Sequence, residues 1–92
     1  MKKEIDMTPY EKYFTELERL YFEKNAHMNI VAYMADNLFN EDAYNKIFND
    51  YTKSLRAYEM FIPIFEKKVV IPACNGPVSW RADFELRVIY VD

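Results

Sequence analysis

Two apolar stripes at helical spacing dominate the first two thirds of the chain. The first runs through Tyr10, Tyr13 and Phe14, Leu17, Leu20 and Tyr21, and resumes at Met28, Val31, Met34 and Ala35, and Leu38. Steps of three and four residues keep these side chains on one helical face. The stripe lapses at Lys24-Asn25, where the helix is expected to bend or loosen. Just ahead of it, Thr8-Pro9-Tyr10-Glu11 has a hydroxyl at the N-cap, proline at the first helical position and Glu three residues after the cap. That is a capping box, with the proline where a missing N–H costs nothing. These signals predict a helix over residues 8–36.

Asp36-Asn37-Leu38-Phe39-Asn40 reads as a connection, with Asn40 capping the next helix and Glu41 and Asp42 in its first turn, where negative charge suits the helix dipole. The second stripe is Tyr44, Phe48, Tyr51, Leu55, Tyr58, Ile62 and Phe65. Its alternating steps of four and three are the 3.5-residue repeat of a helix packed along a partner. The predicted helix spans residues 41–66, kinked or ending near Pro63, which lacks an N–H and clashes with the carbonyl four residues back. Two helices joined by so short a loop must lie antiparallel.

Past Lys67-Lys68 the period changes to two. Val69-Val70-Ile71 is β-branched, Asn75-Gly76 is a turn signal, and Trp80, Ala82, Phe84, Leu86, Val88 and Tyr90 alternate with Arg81, Asp83, Glu85 and Arg87. Residues 69–91 are therefore expected to form a β-hairpin with one apolar face, its first arm shortened by Pro72 and Pro77. Ile89 and Val91 break the polar alternation, which suggests cover on both faces near the end. Residues 1–7 carry charge without a pattern and are expected to be disordered. The fold class is mostly α (α+β): an antiparallel two-helix hairpin followed by a short C-terminal β-hairpin. Residues 1–92 read as a single domain with no internal repeat or linker.

A second set of apolar positions falls outside the stripes. Phe22, Ala26, Ile30 and Tyr33 lie on the back of the first helix, and Ala57, Met60 and Ile64 do something similar late in the second. A helix apolar on two sides is normally covered on both. The expectation is that the C-terminal hairpin covers one patch and another subunit the other. Composition sharpens the point, since 51% of the residues are hydrophobic and eight Tyr and seven Phe crowd a 92-residue chain. Either the core is dense with rings or some apolar surface is kept for a partner.

Charge and chemistry mostly exclude. A net charge of −3 with scattered basic residues argues against nucleic-acid binding, which needs a basic face. The apolar runs at residues 30–35 and 60–65 fall far short of the roughly 20 residues that cross a bilayer. Neither a signal peptide nor a disulfide framework is visible, so a cytoplasmic location is expected. Abundant Lys, Asn, Ile, Tyr and Phe reflect A/T-rich codons and point to a bacterial or phage origin. The single His27, one helical turn after Glu23, is too small a ligand set for a common metal. Cys74 lies in Pro72-Ala73-Cys74-Asn75-Gly76-Pro77, with no local cation or base to activate it. One glycine makes no phosphate loop. Glu11, Glu16, Glu18 and Glu23 interleave with Lys12, Arg19 and Lys24 as on a solvated helix face.

No enzyme, cofactor or metal is expected. The residues point to a homo-oligomeric interaction module, a dimer or dimer of dimers serving as an accessory or adaptor subunit. Phe22, Ile30, Tyr33, Trp80, Phe84 and Tyr90 are the interface candidates, because aromatic anchors dominate interface energetics. The competing expectation is a peptide-binding subunit using the edge of the C-terminal strand.

Overall fold

A computed structural model describes residues 3–37 and 40–92. Leu38, expected at the end of the first stripe, and Phe39 lie outside the described residues, as do Met1 and Lys2. Strand β1 (Lys3–Asp6) leads through a 3-10 turn (Thr8–Tyr10) into α1 (Glu11–Asp36), which pairs with α2 (Glu41–Phe65). A π-helical segment (Glu66–Val70) and the short α3 (Ile71–Cys74) prolong α2 before β2 (Trp80–Asp83) and β3 (Val88–Val91). The mostly α, α+β class and the antiparallel helical hairpin stand as expected.

Local chemistry explains most boundaries. Asn40 caps α2 as expected, its Oδ1 accepting from the Ala43 N–H at 3.0 Å. The expected Thr8 cap of α1 is absent, and no side chain caps either the 3-10 turn or α1; Asp6 Oδ1 instead accepts from the Thr8 N–H at 2.9 Å and the Thr8 hydroxyl at 2.7 Å. A carboxylate is the stronger acceptor, so Thr8 becomes a donor. The Thr8 N–H and hydroxyl hold the Asp6 carboxyl below its ordinary pKa.

Three expectations about the ends of the chain are corrected. First, α2 ends at Phe65, close to the expected residue 66, but helical turns continue beyond it. Proline lies inside the helix, and past Phe65 the ladder widens into the π-turns of Glu66–Val70. The widened turns bring Val69 and Val70 side by side into the core. Second, residues 69–74 are helical, so Asn75-Gly76 ends a helix instead of turning a hairpin. Asn75 adopts φ 60°, and the N–H groups of both residues reach back to the Ile71 carbonyl. Helix C-caps and hairpin turns both require positive φ, so the same dipeptide serves either. Third, Lys3–Asp6 is ordered as a strand, paired antiparallel with β3.

The sheet has the order β1-β3-β2, all antiparallel, with the last strand in the middle. The turn lies at residues 84–87, where Asp83 Oδ1 accepts from the N–H groups of Glu85 and Leu86 and Arg87 adopts φ 55°. That turn overturns the single apolar face expected for residues 80–90. Trp80 pairs with Val91 and Ala82 with Ile89, so an even position on β2 shares its face with an odd one on β3. Ile89 and Val91 are buried, while Leu86 is exposed at the turn and Tyr90 sits beside Arg81 on the outer face. A four-residue turn changes the parity of a two-residue period.

The inner face of the sheet packs on the start of α1 and the far end of α2. There Met7, Phe14, Leu17, Phe65, Val69, Val70, Ile89 and Val91 form the core. Rings tie the parts together, with Phe65 5.0 Å from Trp80 and Phe14 5.3 Å from Phe84. Arg87 pins the hairpin turn to α1, donating to Thr15 Oγ1, pairing with Glu18 and lying 5.2 Å over the Phe14 ring.

Candidate interaction surface

Away from that base the two helices project as a bare pair. The molecule measures 50 × 21 × 20 Å, and its radius of gyration is 16.2 Å against about 12 Å for a compact chain of this length. Among the described residues no apolar side chain between positions 21 and 64 is buried, although the second stripe lies almost wholly there. Of the residues described in that span, Ser54 alone is buried. Two helices cover each other along only one line, and the sheet reaches only the base. Tyr44, Tyr51, Leu55 and Tyr58 on α2 and Val31 and Met34 on α1 are therefore half-exposed.

A polar bond joins the helices midway along the projection. His27 Nδ1 lies 2.5 Å from Ser54 Oγ, in a shallow cleft shared with Glu23, Asp50, Lys53 and Ala57. Hydroxyl, imidazole and carboxylates in one cleft are the ingredients of nucleophilic chemistry. Here, however, both partners sit mid-helix, where backbone N–H groups are already bonded and supply no oxyanion site. What the geometry does is satisfy a buried hydroxyl and hold α1 in register with α2. Sequence reading placed Leu55 in the stripe and passed over Ser54. The signal was present, since Ser54 follows Tyr51 by three residues and precedes Tyr58 by four.

On the other flank, where the projection meets the sheet, a cleft of about 460 Å³ is lined chiefly by Tyr21, Tyr58, Ile62, Trp80, Arg81 and Phe84. Lys24 Nζ lies 5.1 Å from the Tyr21 ring centre and 5.2 Å from that of Tyr58, bridging the two helices by cation–π contact. Burial, and secondarily the neighbouring Tyr21, push the Tyr58 phenol above its ordinary pKa. Among the described residues no group of three or more His, Cys, Asp or Glu is arranged to hold a metal ion. Among the described residues no helix is long and apolar enough to cross a membrane.

The six interface candidates fall into three places. Phe22, Ile30 and Tyr33 are exposed on α1, as are Ala57, Met60 and Ile64 on α2, so the hairpin touches one patch only at Phe22 and leaves both open. The expected intramolecular cover is absent because the hairpin is only four residues an arm and packs at the base. Trp80 and Phe84 are half-buried against the core, Phe84 also meeting Tyr21 at 5.1 Å and Phe22 at 5.7 Å. Tyr90 stands apart on the outer sheet face, with Arg81 5.0 Å over its ring. No family model matches the chain, and no curated protein or solved structure matches it significantly.

Proposed function

We propose that this chain is a non-enzymatic protein–protein interaction module that acts as a homo-oligomer, as an accessory or adaptor subunit of a bacterial or phage system. The observation that carries the reading is the projecting helical pair, whose apolar stripes leave every described apolar side chain between residues 21 and 64 at least partly exposed. Each half-exposed Tyr, Leu or Val left there forgoes part of the roughly 1.5–3 kcal/mol that burial of a large apolar side chain provides. A second copy supplies that cover and leaves the polar outer positions in water. Two uncovered surfaces, one on the flank of the pair and one on the back of α1 at Phe22, Ile30 and Tyr33, suit a dimer that can pair again.

Light scattering on the purified full chain at micromolar concentration tests this. A mass of two or four times 11.1 kDa is expected. A constant 11.1 kDa monomer up to about 100 µM refutes self-association, because specific interfaces of standard size hold far tighter than that.

Strand addition is the second reading. The expected site, an edge of the C-terminal strand, is closed at β3, which is paired on both sides; a peptide would instead add to the outer edge of β2 or β1, each four residues long.

A further inference from the structure

We infer that the dimer forms through one flank of the projecting pair, the flank that opens into the aromatic cleft, in an antiparallel four-helix arrangement. The inference rests on the self-association reading and adds the face and the geometry. At about 100° per residue, Tyr44, Phe48, Tyr51 and Leu55 follow Tyr58 and Ile62 along the cleft side of α2, and Met28 and Ala32 follow Tyr21 along α1. These positions carry no charge. Phe48 is 47% and Met28 42% exposed. The Phe48 ring stacks on Tyr44 at 6.1 Å and meets Tyr51 edge-on at 6.3 Å, forming a continuous aromatic ridge.

The opposite flank is different. Glu23, Asp50 and Lys53 surround the His27–Ser54 pair there, and a second copy would have to desolvate all three charges. The back of α1 offers a single-helix stripe with no contribution from α2. The cleft flank presents apolar positions from both helices, as a four-helix core requires, and its charges are Lys24, already held over the Tyr21 and Tyr58 rings, and Arg81 at the base.

Area agrees with a second copy as the occupant. A compact monomer of 11.1 kDa exposes about 5,650 Å². This chain exposes 6509 Å², an excess of about 850 Å². A standard interface removes about 800 Å² from each partner. A two-fold dimer uses the same patch on both copies. The ridge from Tyr44 to Tyr58 is about 21 Å long. Centring the axis near Tyr51 sets Phe48 against Leu55 of the partner subunit and brings the tip of each pair to the other's cleft. Antiparallel α2 helices also oppose their dipoles.

Sedimentation equilibrium on the full chain, with circular dichroism as a check on folding, decides the face. Phe48→Glu is expected to weaken dimerisation at least 100-fold with helix content retained, because Phe48 is half-exposed within one copy. Tyr33→Glu, on the back of α1 and 62% exposed, should shift it less than threefold. In a Cys74→Ser background, Tyr51→Cys should oxidise to a disulfide-linked dimer and Lys53→Cys should not, which tests the axis even if Phe48→Glu fails to fold. If Tyr33→Glu dissociates the dimer and Phe48→Glu does not, the face is wrong while self-association stands. Failure of Tyr51→Cys to cross-link a wild-type-like dimer overturns the antiparallel geometry. A wild-type monomer removes both readings.

Discussion

The His27–Ser54 bond should be worth more to stability than either residue's position on a solvent-facing projection suggests, and its loss should be asymmetric. Ser54 is 6% exposed, whereas His27 is only half-buried. Removing the imidazole by His27→Ala strands a buried hydroxyl, and an unsatisfied buried polar group costs about 1–3 kcal/mol. Ser54→Ala removes the hydroxyl itself and leaves a ring nitrogen that water can reach. Its cost should be nearer the net value of one hydrogen bond, about 0.5–1.5 kcal/mol. The double variant leaves nothing unsatisfied, so it should be more stable than His27→Ala alone, and the two single losses should not add. For a domain of this length each kcal/mol moves the melting midpoint by about 4–8 °C. Urea or thermal unfolding followed by circular dichroism reads the cycle, at one fixed protein concentration because association adds to apparent stability. Additive single losses, or a His27→Ala midpoint equal to wild type, would show that the bond neither satisfies Ser54 nor couples the helices.

Two further outcomes follow from the base of the molecule. Phe84→Ala should destabilise by about half of the 3–5 kcal/mol typical of a fully buried phenylalanine, since its ring is half-buried against Phe14, Tyr21 and Phe22. Leu86→Ala, two residues on in the same turn, should change stability by less than about 0.5 kcal/mol; equal losses at both positions in a chemical melt would contradict the turn at residues 84–87. The Thr8 N–H and hydroxyl hold the Asp6 carboxyl below its ordinary 3.8, so it is harder to protonate in the folded chain than in the unfolded one. Its contribution is complete above that ordinary value and is lost as pH falls through the depressed folded value. Asp6→Asn should therefore flatten the acid limb of the stability–pH curve and leave the slope near neutrality unchanged, as chemical melts between pH 2 and 7 would reveal.

The candidate surface was only partly legible in the sequence. The outer stripe of Phe22, Ile30 and Tyr33 could be read from helical angles, because position on one helix depends only on the 3.6-residue repeat. The cleft flank could not. Phe48 and Leu55 look like ordinary members of the second stripe, and a stripe says nothing about how wide a partner will cover it. One neighbouring helix shields a narrow line, here near Ser54 and Tyr58, so residues one step to the side remain open. Trp80 and Phe84 illustrate the reverse. Their type suggested an interface, yet the turn at residues 84–87 folds both back onto the core of the same chain.

What the sequence determined by itself was local. Helical periodicity, the Asn40 cap and the short connection specify two long helices lying antiparallel, because each depends on neighbours within a few residues. Tertiary structure decided whatever needed a distant partner or a choice between equal local options. Asn75-Gly76 satisfies a helix cap and a hairpin turn equally well, and packing of Val69 and Val70 into the core selects the cap. Lys3–Asp6 becomes a strand only because β3, some eighty residues later, offers an edge for its backbone groups. The face on which residues 80–91 bury their apolar side chains was set by the length of one turn, since a two-residue period reverses its meaning when the chain folds back with an odd register.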